Sequence, residues 1–317
     1  MVRPATVGVL DVGCFSARLL IAERGGSLLD PVFNHKTRLR LDRALDACGR
    51  LGADGVDAII TAVGTAGELA EQRGVSRVFP LATSSIRDAR NATEIVRQVR
   101  HETGTELRFL TGQREAELSY LAARRWFGAA VGPLAVLDIG GGTVELAAGE
   151  GEHAAVAWSL RLGAREMTRT WLDTEVPPAE RIAELRAHAL DRVRRAVAEA
   201  EPRLSGYRTV GCSTVLRQLA RLAGARPQRD APSRELRVED LRRWIPRLAV
   251  MPASRRAELP GISRSRARQA LAGAVVAEAL LTVFGGSLDV CPWSTTHGLL
   301  LTLLDQTEQD ATRRSVA

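Results

Sequence analysis

The sequence predicts an α/β protein of two similar halves, related by a pseudo-two-fold duplication around a central cleft. Three observations carry this expectation. An apolar strand ending in Asp-x-Gly occurs twice, as Gly8-Val9-Leu10-Asp11-Val12-Gly13 and as Ala135-Val136-Leu137-Asp138-Ile139-Gly140. Strand-like and helix-like patterns alternate after each copy. The chain has 317 residues, 45% hydrophobic and 26% charged, which is long enough for two packed domains and too apolar for disorder.

Each copy continues alike. Ser16 aligns with Thr143 and Leu19 with Leu146, and glycines (Gly25-Gly26, then Gly149 and Gly151) close the second apolar run. A strand, a tight turn of small residues and a second strand make a β-hairpin. Between the copies, Asp54 to Gly74 reads as a helix and Val78 to Ala82 as a strand. A helix capped by Ser84 or Ser85 runs to His101, Leu107 to Leu110 reads as a strand, and Gln113 to Phe127 as a helix. After the second copy come a strand at Ala154 to Leu160, an Arg-rich helix at Pro178 to Glu201 and a strand at Arg208 to Gly211. A helix from Ser213 to Leu222 and a polar connector from Ala225 to Arg237 follow. Helices then dominate up to Gly285, before a strand at Leu288 to Cys291 and a last helix at Thr295 to Leu304. The boundary is expected near Val131, giving domains 1–131 and 132–305. Helix 295–304 is expected to pack back on the first domain, and 306–317 to be a polar tail.

The net charge is +7, and Lys36 is the only lysine among 44 basic residues. That balance points to anionic partners. Aromatic residues are 4% of the chain, poor material for stacking on bases, so nucleic acid is not an expected partner. The start of the chain lacks a signal-peptide core. The longest apolar stretch, Ala270 to Phe284, carries Glu278 and falls short of the ~20 residues a bilayer requires. It reads as a buried helix, with a face for a homodimer as its alternative use. Cys14, Cys48, Cys212 and Cys291 show no metal-ligand spacing and read as small buried hydrophobes in a reducing cytoplasm. A cytoplasmic protein without a membrane segment is therefore expected.

The duplicated turns suggest chemistry. Glycines let backbone amides approach an anion without Cβ interference, and successive amides form a nest for phosphate oxygens. Asp138-Ile139-Gly140-Gly141-Gly142-Thr143 offers three glycines and a hydroxyl. It lacks the Gly-Lys-Ser/Thr ending of a P-loop, and the strand-like run after it does not suit a dinucleotide fingerprint. A carboxylate at each strand end, Asp11 and Asp138, is placed to hold Mg²⁺ or to order a water, the two facing each other across the cleft.

The paired Asp-Gly hairpins resemble the actin-like (ribonuclease H-like) ATPase superfamily. More narrowly, the chain resembles the exopolyphosphatase/guanosine pentaphosphate phosphatase family. Asp138 to Glu145 is similar to that family's second phosphate loop, Ala82 to Asn91 to its Thr-Ser-Ala-x-Arg-Asp-Ala-x-Asn segment, and Thr111 to Tyr120 to its Gly-x-x-Glu-Ala segment. Gly211-Cys-Ser-Thr214 and Ala272-Gly-Ala274 fall where further family segments are expected.

The resemblance implies that Glu115 is the general base activating a water and that Glu145 helps orient the water or metal. It implies that Arg87, Ser16 and the turn Gly140, Gly141, Gly142 and Thr143 bind phosphate, and that Asp138 and Asp11 lie beside Mg²⁺. Two departures stand out. Phe15 occupies a position where the family has Asn, and Thr296-His297 replaces an Arg-Glu pair. The implied activity is release of terminal orthophosphate from inorganic polyphosphate, the alternative substrate being guanosine pentaphosphate (pppGpp). A non-catalytic sensor of polyphosphate or nucleotide is the reading from another class, and a sugar kinase is weaker because no sugar-recognition cluster is visible.

Overall fold

A computed structural model describes residues 6–28, 30–46, 48–75, 77–198, 204, 206–224 and 234–316, the side chains of 308–316 excepted. The chain divides into two compact units, one of residues 1–111 with 296–317 and one of residues 112–295.

The first unit is built on a four-stranded sheet of β1 (Thr6–Val12), β2 (Ser16–Glu23), β3 (Phe33–Arg38) and β4 (Val78–Ala82), in the order β3-β2-β1-β4. β1 and β2 form an antiparallel hairpin with Asp11 opposite Arg18, and β4 runs parallel to β1. Helices α1 (Leu41–Ala44), α2 (Ala53–Glu71), α3 (Ser84–Arg87) and α4 (Ala92–Thr103) complete its N-terminal part. Strand alternation sends Leu10, Val12, Leu19 and Ile21 into one core with Val56, Ile59 and Val63 of α2.

Two local expectations are corrected. The helix expected from Ser84 to His101 is two helices. The buried Asn91 side chain donates to the Leu51 carbonyl and accepts from the Leu51 amide, both at 2.9 Å, which draws residues 88–91 off the helical path. Leu107 to Leu110 is not a strand but a single bridge, Arg108 to Leu81. Pro80 lacks the N–H that the next rung on that edge needs. Conversely, β3 (Phe-Asn-His-Lys-Thr-Arg) is a polar edge strand whose composition hides its pairing with β2.

The second unit carries β5 (Leu134–Ile139), β6 (Val144–Gly149), β7 (Val156–Leu160), β8 (Arg208–Gly211), β9 (Arg234–Arg237) and β10 (Ser287–Val290) in the order β7-β6-β5-β8-β10-β9. Its helices are α5 (Gly112–Phe127), α6 (Ala164–Trp171), α7 (Ala179–Ala198), α8 (Thr214–Leu222), α9 (Val238–Ala249), α10 (Ala253–Arg256) and α11 (Ala270–Val283). The division at Thr111 precedes the boundary expected near Val131. Ala116, Tyr120 and Ala123 of α5 share a core with Leu134, Val136 and Ala147 of β5 and β6. α11 is buried from Ala270 to Leu281, as expected of a core helix, and Glu278 within it is held by Arg186 at 2.8 Å and Arg242 at 3.6 Å. Residues 199–201 of the expected Arg-rich helix and 225–233 of the expected connector lie outside the described residues, and Arg234–Arg237 is β9. The last helix, α12 (Thr295–Val316), runs through most of the segment expected to be a polar tail.

Of the cysteines, Cys212 and Cys291 are buried, Cys14 is half-buried and Cys48 is exposed. The expectation of burial therefore fails for Cys48, which sits in a turn. Among the described residues, no helix is long and apolar enough to cross a membrane.

Candidate active site

The two hairpin turns are built alike. In the first unit the Gly13 amide donates to the Ser16 carbonyl at 3.0 Å, and in the second the Gly140 amide donates to the Thr143 carbonyl at 2.9 Å. In both, the carbonyls of the turn are taken by the chain that leaves the third strand. Leu39 donates to Phe15 O at 3.0 Å and Leu41 to Cys14 O at 2.8 Å. Ala164 donates to Gly140 O at 3.0 Å, Arg165 and Glu166 to Gly141 O at 2.9 and 3.0 Å, and Gly163 to Gly142 O at 3.1 Å. With its carbonyls so engaged, the glycine turn is held on the first turn of α6. Among the described residues, no backbone acceptor takes the amides of Gly141, Gly142 or Thr143, the arrangement that makes an anion nest.

Gly163 makes this seating possible. A Cβ there would lie 2.3 Å from the Gly142 carbonyl carbon and 2.4 Å from the Thr143 amide nitrogen. Both neighbours are backbone, so the turn itself must move. Gly163→Ala is expected to cost about 1–3 kcal/mol of stability, read by urea denaturation, and to weaken phosphate binding as the amides shift.

The second unit gathers three of the sequence-predicted acids. Asp138 is the last residue but one of β5, and Glu145 lies directly opposite it on β6. Glu115, half-buried in the first turn of α5, is close enough for its charge to act on Glu145. Glu145 is 4% exposed. Burial, then repulsion from Asp138 and Glu115, pushes its carboxyl up to about 8, against hydrogen bonds from Thr143 and Ser159. The Ser159 hydroxyl donates to Glu145 Oε1 at 3.0 Å. The start of α5 is pressed onto the same serine, since a Cβ on Gly112 would lie 2.3 Å from Ser159 Oγ. Burial likewise raises the Asp138 carboxyl, opposed by the Ser119 hydrogen bond and the charges of Arg217 and Arg266. Ser119 Oγ donates to Asp138 Oδ2 at 3.0 Å and shares a 2.8 Å hydrogen bond with Thr295 Oγ1.

Asp11, Ser16 and Arg87 belong to the first unit. Asp11 Oδ2 accepts from Thr296 Oγ1 at 3.1 Å, so Thr296, one of the two residues replacing the Arg-Glu pair, serves an aspartate directly. Ser16 opens β2 and is half-buried. Arg87 ends α3, donating from Nη1 to the Leu110 carbonyl at 3.1 Å with Nε 3.3 Å from Asp88 Oδ1.

Sequence reasoning missed the partners Ser119, Ser159, Thr296, Arg217 and Arg266. Ser119 was findable, standing four residues after Glu115 and so on the same face of the helix. Ser159 needed the β6–β7 register, which places it opposite Glu145. Arg217 and Arg266 carry no local signal in so arginine-rich a chain.

Among the described residues, no group of three or more His, Cys, Asp or Glu side chains is set to hold a metal ion. Mg²⁺ does not need one, because it keeps several waters and binds through one or two carboxylates plus substrate phosphates. Asp138 suits that role, as a desolvated oxygen donor beside a second acid that a cation would relieve.

Comparisons with known proteins agree with this construction. The family model described as Ppx/GppA phosphatase family matches residues 20–307. A protein of Mycobacterium leprae named exopolyphosphatase 1 is 39% identical over 96% of this chain and 91% of its own length. One of Mycobacterium tuberculosis named exopolyphosphatase 2 is 31% identical over 86% and 89%. The crystal structure of an Aquifex aeolicus member of the Ppx/GppA family superposes with a TM-score of 0.78 at 24% identity, covering 96% of this chain and 98% of that one. An exopolyphosphatase structure from Cytophaga hutchinsonii gives 0.81 at 19% identity, covering 95% and 98%. Doubled turns, buried acids and a match over most of its length place this chain in the Ppx/GppA phosphatase family.

Proposed function

We propose that the chain is an exopolyphosphatase, a hydrolase that releases orthophosphate from the end of inorganic polyphosphate. One observation carries the reading. The glycine turn has its carbonyls anchored and, among the described residues, no backbone acceptor on the amides of Gly141, Gly142 or Thr143; the strands it joins carry Asp138 and Glu145, with Glu115 close enough to act on Glu145. Donors for phosphate oxygens and acids for water are what phosphoanhydride hydrolysis needs, since it is mostly positioning and charge neutralisation.

In this reading Gly140, Gly141, Gly142 and Thr143 hold the terminal phosphoryl group by backbone amides and the threonine hydroxyl. Glu115 accepts a proton from the attacking water as its oxygen bonds to phosphorus and the bridging P–O bond breaks toward the remaining chain. Glu145 orients that water, its own position fixed by Ser159. Arg87 and Ser16 are assigned to phosphate, with the guanidinium suited to a bidentate grip. Asp138 and Asp11 are assigned to Mg²⁺, which when bound neutralises phosphate charge. The exposed free thiol of Cys48 supports a reducing, cytoplasmic setting.

The experiment is phosphate release from long-chain polyphosphate by the purified chain, with Mg²⁺ and after chelation, beside pppGpp. Metal-dependent release, faster from polyphosphate, is expected. Tight polyphosphate binding without release would assign the chain to sensing instead.

A further inference from the structure

The glycine turn of the second unit lies between an acid and a guanidinium. A Cβ on Gly140 would stand 3.6 Å from Glu145 Oε2, and one on the next residue, Gly141, would stand 3.8 Å from Arg165 Cζ. Arg165 Cβ and Nε lie 3.9 and 4.0 Å from that second point. The arginine side chain therefore runs along the Gly141 face of the turn, from its root to its guanidinium.

The start of α6 explains why a side chain is needed there. The amides of Gly163, Ala164, Arg165 and Glu166 are all spent on carbonyls of the turn, so an anion on the turn can receive none of them. What the first turn of α6 still offers is its side chains. Ala164 and Met167 are apolar and buried, and Glu166 is an acid engaged by Arg169 at 3.0 Å and Arg161 at 3.9 Å. Arg165 is the cation among the four. Relief of the buried Asp138 falls to other arginines, Arg217 and Arg266. A guanidinium beside the Gly141, Gly142 and Thr143 amides adds a planar fork to the nest, able to hold two oxygens of one phosphoryl group.

We propose that Arg165 grips the non-bridging oxygens of the phosphoryl group seated on the glycine turn and neutralises their charge during its transfer to water. The inference rests on the exopolyphosphatase reading for its reaction. As the water oxygen bonds to phosphorus and passes its proton to Glu115, the bridging oxygen leaves with the electron pair of the broken P–O bond. The non-bridging oxygens carry charge throughout, and a guanidinium already in place stabilises that state without reorganisation.

The test removes the guanidinium and keeps the stem. Inorganic phosphate is titrated by 31P NMR, with Mg²⁺ present, against wild type, Arg165→Met, Arg165→Lys and Arg169→Met, a control one turn on in α6 with the same change in net charge as Arg165→Met. Arg165→Met is expected to raise Kd by about ten-fold or more, and the control by under about three-fold. Its urea midpoint is expected to match wild type, because methionine still covers Gly141 with an apolar stem. Arg165→Lys keeps the charge without the fork, and a Kd raised by about three-fold or more is expected. That variant decides the matter should the methionine variant prove unstable. On polyphosphate, kcat is expected to fall on the order of 10²-fold in Arg165→Met, with partial recovery in Arg165→Lys. Wild-type Kd in the Arg165 variants, equal weakening in the control, or no phosphate binding by wild type overturns the proposal. Phosphate release from polyphosphate that is indifferent to Arg165 overturns it too, and leaves the hydrolytic reading standing. Phosphate binding that depends on Arg165 without any release from polyphosphate would instead overturn the hydrolytic reading and leave this grip in place.

Discussion

Glu115→Gln is expected to lower kcat for phosphate release by on the order of 10³-fold, within the range that positioned general bases supply. The substitution keeps shape and hydrogen-bonding capacity and removes only the ability to accept a proton from water. Its effect on folding is small because two terms oppose. An acid in the first turn of α5 gains about 0.3–1 kcal/mol from the helix dipole, while the substitution also removes its repulsion of Glu145 at pH above about 8, where that carboxyl ionises. Stability in urea is therefore expected to stay within about 1 kcal/mol of wild type. Removing this negative neighbour also lowers the Glu145 carboxyl toward its ordinary range, a shift that titration of Glu145 by NMR would register. If kcat stays within about ten-fold of wild type, the proton goes elsewhere and Glu115 only shapes the field around Glu145.

The fold was legible in the sequence wherever a segment's own pattern decided its structure. The Asp-Gly repeat foretold both hairpins, and the strands Val78–Ala82 and Arg208–Gly211 lie where apolar runs put them. Elements set by distant partners were not legible. The break between α3 and α4 comes from Asn91 reaching Leu51, forty positions away in sequence. α6 is held by the carbonyls of the glycine turn, and β3 by pairing with β2. The acids of the second unit were visible as residues, but their electrostatics were not, because Glu145 becomes unusual only when β6 is covered on both faces.

The two hairpins also differ in a way that alignment alone leaves mute. Opposite the aspartate stands Arg18 in the first copy and Glu145 in the second. The duplication thus preserved the turn and inverted the charge beside it. Only the second copy sets two acids opposite one another, Asp138 and Glu145. The first copy sets its aspartate opposite a basic residue, Arg18. One supersecondary unit, used twice, has come to serve two different charges.

That concentration of charge makes Glu145→Gln the substitution with the largest expected gain in stability. The carboxyl is raised from 4.5 to about 8 in the folded protein. Between those values the folded state binds more protons than the unfolded state, so wild-type stability falls as pH rises from about 4.5 through about 8. The shift sets a ceiling of about 5 kcal/mol, and relaxation around the buried group brings the expected loss to roughly 2–3 kcal/mol. The substituted amide is neutral at every pH in this window, still able to accept from Ser159 and now able to donate toward Asp138. The variant should therefore match wild type near pH 4, exceed it by about 2 kcal/mol or more at pH 8.5, and show a flatter profile between. Urea denaturation across pH measures this. Its kcat/KM for polyphosphate is expected to fall by about 10- to 100-fold at the pH where stability gains most, if the charge that destabilises the fold is also, as proposed, the charge that orients water. A variant with an unchanged stability profile would mean that Glu145 is ionised and paired in the folded protein, and the acidic centre would then need a different account of its charge.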